Sequence, residues 1–372
     1  MPTYGNVNGT WRETAPFGNV NGTWREVVQS FGNVNGTWRE TWKKTYENLN
    51  LVNRVDPSMG DTALTARVAN DGSIYVGGSN GRIKKFNSSG VEQWSYIRHT
   101  YEVIDIQIGN DGNIYSISVS ESDRSTANWE ICVQSPSGSL LQSTYGTGGN
   151  YRTFDLGAFS RLYIGGTEAG HLNTYVGALV TAKSMSSLST SWEQQYTSAN
   201  AHQMRLVTNQ NLPHVYLYTS ATGEGIFMIN ANDGSLYKTR VGHYNDLWAD
   251  LSIDKADNSL YYAVPYGVQK LDTNLDIVWE VSYPVAGDVP YRSNGVGSLS
   301  VGDDGGVIAV TQRDDNIYGY WATKYDKDGN FIYHTPIIED AGFLAGVRTS
   351  HANGNIFVAL DTNSMLYIYE QS

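Results

Sequence analysis

The chain has 372 residues, with 39 glycines, 26 tyrosines and only 17% charged residues, a composition poor in helix formers and rich in strand and turn formers that argues against bundles and coiled coils. A formal charge of −12 argues against a nucleic-acid partner, because neutralising phosphates takes a basic face. No apolar run reaches the length of a membrane span, the opening Met1-Pro2-Thr3-Tyr4-Gly5 lacks both parts of a secretory signal and so reads as no secreted precursor, and the single Cys132 allows neither an intrachain disulfide nor a cysteine metal cluster.

Three near-identical decapeptides open the chain. Tyr4 to Glu13 reads YGNVNGTWRE, and Phe17 to Glu26 and Phe31 to Glu40 both read FGNVNGTWRE. Each carries an Asn-Gly pair between β-prone residues, which predicts a hairpin with a two-residue type I′ turn. A lone two-stranded ribbon is marginal in water, so the copies must pack on one another, on the rest of the chain or on a partner. Trp11, Trp24 and Trp38 then have two readings: a shared miniature core, or anchors that dock on a partner together with the adjoining Arg12, Arg25 and Arg39, since Trp and Arg are over-represented in that role. Short tandem units ending in Gly-Thr-Trp-Arg near a terminus resemble those of tailed-bacteriophage virion proteins, where they look like attachment segments of tail or fibre components. That resemblance covers residues 4 to about 40 and implies that residues 1–40 bind other virion proteins.

Beyond residue 50 a longer, weaker period takes over. A turn followed by an aliphatic residue and, usually, an aromatic one recurs with the aliphatic residue at Ile74, Ile114, Leu162, Val215, Leu260, Val307 and Ile356. Seven units of roughly 46 residues result, and four short strands per unit at this spacing are the signature of a β-propeller. In the first unit the strands are expected at 63–69, 74–77, 82–87 and 91–96, with Asp71-Gly72, Asn80-Gly81 and Ser89-Gly90 as turns. The seventh unit lacks one strand before the chain stops. Thr41 to Tyr46 resembles the outer strands bearing Trp94, Trp192 and Trp279, so residues about 41–50 are expected to complete the last blade. The reading is an all-β fold, a seven-bladed propeller over 41–372 preceded by tandem hairpins. The run from Asp71 to Gly78 and on to Trp94 resembles the repeat of pyrroloquinoline-quinone-like propellers, although the quinone enzymes of that kind usually have eight blades, a metal site and a signal peptide, none of which is found here.

Signals for chemistry are sparse. The seven histidines have no close metal-ligand spacing, and neither a GxSxG elbow nor a Walker loop occurs. Asp326 to Asn330 resembles half of a calcium loop without its closing Glu, and reads as a hairpin turn. A propeller brings inner-strand carboxylates together around its axis, which makes Asp105, Asp155, Asp246 and Asp250 candidates for glycoside cleavage. With 37 acidic residues such placements also arise by chance, so no catalytic residue, metal or cofactor is assigned. Loops leading from an outer strand to the next inner strand gather on one face. They carry Arg98 and His99 and a candidate ligand-binding set of Tyr101, Tyr151, Arg152, His202, Tyr244, Tyr291, Arg292 and Phe343, aromatic and planar polar groups that suit a carbohydrate or protein surface. Taken together with the resemblance, these features lead to the expectation of a virion structural protein, present in many copies, assembled in the host cytoplasm and displaying its propeller for adhesion to a host-surface glycan or protein. The alternatives are a propeller glycosidase or lyase acting on surface polysaccharide, and a non-viral scaffold.

Overall fold

The structure, a computed structural model, describes the chain apart from residues 1–3, 8–9, 14–16, 21–22, 27–28, 35–36, 44–47, 121–127, 148–149, 169–175, 197–203, 210, 220–224, 242–249, 265–266, 285–287, 291–298, 303, 314–319, 339–349, 353–355 and 361–363, and for the strands within residues 4–43 it describes the backbone alone. Two compact units divide it, Met1–Glu47 and Asn48–Ser372.

The first unit contains three antiparallel hairpins: Tyr4–Val7 with Thr10–Glu13, Phe17–Val20 with Thr23–Glu26, and Gln29–Val34 with Thr37–Lys43. Val7 pairs with Thr10, Val20 with Thr23 and Val34 with Thr37. Two residues, Asn-Gly each time, therefore lie between the paired positions, the loop length that a type I′ turn serves. The same register sets Asn6 opposite Trp11, Asn19 opposite Trp24 and Asn33 opposite Trp38.

The second unit is a seven-bladed β-propeller. From its inner to its outer edge the first blade runs Ala63–Val68, Ile74–Gly78, Arg82–Phe86 and Glu92–Ile97. The second extends from the inner strand Glu102–Ile108 to the outer strand Leu140–Thr147, the third from Asn150–Gly157 to Thr190–Gln195, the fourth from Met204–Thr208 to Leu236–Val241 and the fifth from Asp250–Ile253 to Ile277–Ser282. In the sixth, two short strands, Asp288–Pro290 and Leu299–Val301, share the inner edge, both pairing with Val307–Arg313. Inner strands pack each on the next, and that of the seventh blade, Ser350–Ala352, returns to that of the first.

Neighbouring blades cover both faces of the middle strands, so these are apolar without alternation. Ile74–Gly78, Ile114–Val119 and Leu260–Val264 are buried at every position, while the outer strands stay largely exposed. The core is divided among the seams. Seven apolar clusters occur among the described residues, one at each blade-to-blade junction, such as Tyr216, Tyr218 and Ile226 against Leu251, Leu260 and Tyr262 between the fourth and fifth blades.

A second device joins the outer rims. Every blade has a register shift between its third and outer strands, and in five blades the outer residue just past it bonds a turn of the next blade. Trp94 Nε1 donates to the Pro136 carbonyl at 3.1 Å, Trp192 Nε1 to that of Ala231 at 3.2 Å and Trp279 Nε1 to that of Lys327 at 3.0 Å. Lys238 Nζ reaches the Asn274 carbonyl, and Asn53 Nδ2 that of Ser89 at 2.8 Å. Each acceptor belongs to the turn before the outer strand of the following blade.

The strand that closes the ring is Leu49–Val55, paired from Gln371↔Leu49 to Leu366↔Val55 on Leu366–Gln371. Thr41 to Lys43, expected to close it, instead continue the third hairpin, with Trp42 opposite Ser30. Connection length explains the difference. A strand ending at Val55 reaches the inner strand at Ala63 over a short link like the other blade connections, whereas one ending at Tyr46 would need a long structureless loop. Reciprocal backbone bonds between Asn48 and Ser372, at 3.0 and 3.1 Å, extend the closure by one pair.

Candidate functional site

Residues two apart on an inner strand share a face, and the register makes the blades comparable. Arg67, Gln107 and Asp155 lie opposite the equivalent Tyr75, Tyr115 and Tyr163. Each bonds the backbone of the next blade: Arg67 Nε donates to the Ile106 carbonyl at 2.9 Å, Gln107 Nε2 donates to the Phe154 carbonyl at 3.0 Å, and Asp155 Oδ2 accepts from the Thr208 N–H at 3.0 Å. One layer away stand Asp105, Thr153, Arg205 and Asp250. Asp250 Oδ2 accepts from the Leu299 N–H at 2.8 Å, Thr153 Oγ1 accepts from the Leu206 N–H at 3.3 Å, and ion pairs join Arg67 to Asp105 at 3.2 Å and Arg205 to Asp250 at 3.4 Å. Lys255 Nζ lies 3.7 Å from Asp155.

Asp105, Asp155 and Asp250 are thus brought together near the axis, with Asp246 outside the described residues. Arg67 and Arg205 join them in an axial cluster of charges that Lys255, at Asp155, borders from its more exposed side. Burial holds the Arg67 pKa below its ordinary value despite Asp105. At Arg205 burial is outweighed by Asp250, Asp105 and Asp155, and the pKa rises. Both remain charged at neutral pH. Glycoside cleavage needs one carboxyl to give a proton and a second to act as base or nucleophile. Here the carboxylates accept backbone N–H groups and face guanidinium groups, an arrangement that ties blade to blade.

Of the eight residues expected on the loop face, Tyr101 and Arg152 are half-buried. Tyr151 is turned inward. Only 4% exposed, it bonds Thr181 Oγ1 at 3.1 Å and meets the Trp129 ring edge-on at 5.5 Å, so its ring packs the seam between the second and third blades and offers a ligand nothing. His202, Tyr244, Tyr291, Arg292 and Phe343 lie outside the described residues. Trp11, Arg12, Trp24, Arg25, Trp38 and Arg39 sit on the second strands of the three hairpins, where the backbone alone is described.

A further cluster sits between the first two blades. The loop after the first outer strand carries His99, which is 3% exposed and lies over two strands of the second blade. His99 Nε2 is 2.7 Å from Ser116 Oγ and Nδ1 is 3.6 Å from Glu130 Oε2, while the Cys132 thiol donates to the Arg98 carbonyl at 3.4 Å. Ligand atoms of His99, Glu130 and Cys132 all lie within 4.8 Å of one another. Glu130 and Cys132, two apart on one strand, share a face by alternation, but nothing in the spacing pairs them with His99. Burial pushes the thiol pKa up to about 12.

No family model matches the chain, and no curated protein matches it. Among solved structures it is similar to the WD40 domain of Pan2 from Neurospora crassa, with a TM-score of 0.59 and 12% identity over 88% of this chain and 97% of that one. At that identity the likeness speaks to a WD40-like propeller fold alone. No helix among the described residues is long and apolar enough to cross a membrane.

Proposed function

We propose that the chain is a structural component of a bacteriophage particle, a tail, fibre or decoration protein held to other virion proteins by its N-terminal hairpins and displaying its propeller for adhesion to a host-surface glycan or protein. The observation that carries this reading is the combination of repetition and independence. The ring closes with Leu49–Val55, so propeller closure requires no strand upstream, yet that upstream segment keeps three copies of one hairpin sequence. Three near-identical units suit three equivalent pockets on a repeated partner, and weak contacts gain strength when many are made at once. Charge supports the division of labour. Residues 1–50 carry five basic and four acidic groups, leaving −13 on the rest, so the near-neutral, Trp-bearing part suits burial and the acidic part suits exposure to water. Binding is favoured over cleavage because the axial carboxylates are engaged in blade-to-blade bonds. The resemblance of the blade repeat to the pyrroloquinoline-quinone-like type concerns architecture and implies no quinone chemistry here.

Producing the full chain and a version lacking residues 2–47 during infection tests the attachment. The full chain is expected to sediment with purified particles and the truncated one to stay in the supernatant. Equal incorporation would overturn the role of the hairpins. Incubation of the full chain with host surface polysaccharide is expected to release no reducing sugar, and release would replace adhesion with the enzymatic reading.

A further inference from the structure

We propose that His99, Glu130 and Cys132 bind one divalent transition-metal ion of the zinc class, which fastens the loop leaving the first blade to the second. The donor set is that of a zinc site, one imidazole, one carboxylate and one thiolate. Metal bonds near 2.1 Å at tetrahedral angles put nitrogen and oxygen ligands about 3.4 Å apart, and His99 Nδ1 stands 3.6 Å from Glu130 Oε2. The Arg98 carbonyl oxygen lies 3.4 Å from Sγ and is a further oxygen donor at the site. Charge favours the site as well: a dication with one thiolate, one carboxylate and a neutral imidazole sums to zero, which suits a place where the His99 side chain is 0% and the Glu130 side chain 19% exposed.

The hydrogen bonds around the histidine prepare it for this role. Ser116 has one hydroxyl proton, and its Oγ donates to the Cys132 carbonyl at 3.4 Å. With that proton so used, the tautomer that carries hydrogen on Nε2 lets Ser116 Oγ accept at 2.7 Å and turns the Nδ1 lone pair toward Glu130, where a metal ion would replace the histidine–carboxylate contact. A ligating histidine held through its other nitrogen has this arrangement. His99 Nδ1 is buried and has no hydrogen-bond partner among the described residues. Unmatched polar atoms also gather on the same seam. By the pairings Ile114↔Gln134, Ser116↔Cys132 and Ser118↔Glu130, Gln134 and Ser118 share the face of the cluster, and both the Gln134 carboxamide and the Ser118 hydroxyl are buried without partners among the described residues. The apolar cluster at this seam has only six buried members, Ala69, Tyr75, Ile83, Val103, Ile106 and Ile114, fewer than any other described seam, so it gains most from a polar fastening. Binding moves no electrons: the Cys132 S–H proton leaves to solvent as the sulfur–metal bond forms.

The test uses the full, tag-free chain, stripped with a chelator and dialysed against zinc, with metal content and thermal midpoint as readouts and cobalt as the coloured probe. One equivalent per chain, a thiolate-to-cobalt charge-transfer absorption and a zinc-dependent rise in midpoint are expected. Cys132→Ser should abolish the absorption, weaken zinc binding about tenfold or more and remove the rise in midpoint. Should that variant fail to fold by circular dichroism, Glu130→Gln, at the partly exposed ligand, is expected to show the same loss of binding. Absence of stoichiometric zinc, or binding that survives both substitutions, overturns the proposal.

Discussion

At Gly234 the backbone stands at φ +78°, and a Cβ there would lie 2.7 Å from Cε3 of Trp192. The ring occupies that space because its Nε1 reaches over the turn to the Ala231 carbonyl. Gly234→Ala therefore meets a strained dihedral and a clash together, and a loss of about 1–3 kcal/mol is expected in urea unfolding. His214 makes a different residue-scale case. Burial beside Tyr237, with ring centroids 5.3 Å apart, holds its pKa below the ordinary value. The unfolded chain then takes up a proton near pH 6.5 that the folded chain refuses until lower pH, so this contribution is complete above that value and is lost as pH falls through the folded pKa. Unfolding free energy measured across that window should fall with acidity more steeply for the wild type than for His214→Phe; parallel slopes would refute the assignment. The sequence puts Asp105, Asp155 and Asp250 at the axis but does not single out Arg67 and Arg205, because a list of charges does not say which face of which strand each one occupies.

Turn chemistry and apolar runs made most elements legible. Asp71-Gly72 and Asn80-Gly81 lie between the strands they were expected to separate, and Trp94, Trp192 and Trp279 do mark outer strands. The rule failed at the seventh blade, where the closing strand Leu49–Val55 contains no aromatic residue and Asn53 does what Trp does elsewhere. Trp42, two residues beyond the repeated decapeptide, imitates the pattern. The hydrogen bond the side chain makes, shared by Trp, Lys and Asn alike, is what recurs, and a search for aromatic rings alone overlooks it. The junction of His99, Glu130 and Cys132 lay outside sequence reasoning for a stronger reason: a loop of one blade and a strand of the next meet only when the ring is assembled.

A single blade exposes both faces, so its stability resides in two seams, and opening the ring anywhere weakens seams on either side of the gap. Leu49–Val55 is the one strand that joins the two ends of the propeller, with Val55 packed on the cluster between the seventh and first blades and Leu49 on that between the sixth and seventh. Removing residues 2–47 leaves all seven seams intact, and the thermal midpoint of the propeller is expected to stay within about 2 °C of the full chain. Removing residues 2–55 takes the outer strand from the last blade, exposes the edge of Leu366–Gln371 and deletes the Asn53 bond to the first blade. A fall on the order of 10 °C is expected for that second truncation, with a broader transition because the ring no longer unfolds as one body. Scanning calorimetry of both truncations separates the outcomes. Equal midpoints would mean that the seams hold without closure, and a fall in the first truncation would mean that the hairpins brace the propeller and are not free to serve a partner.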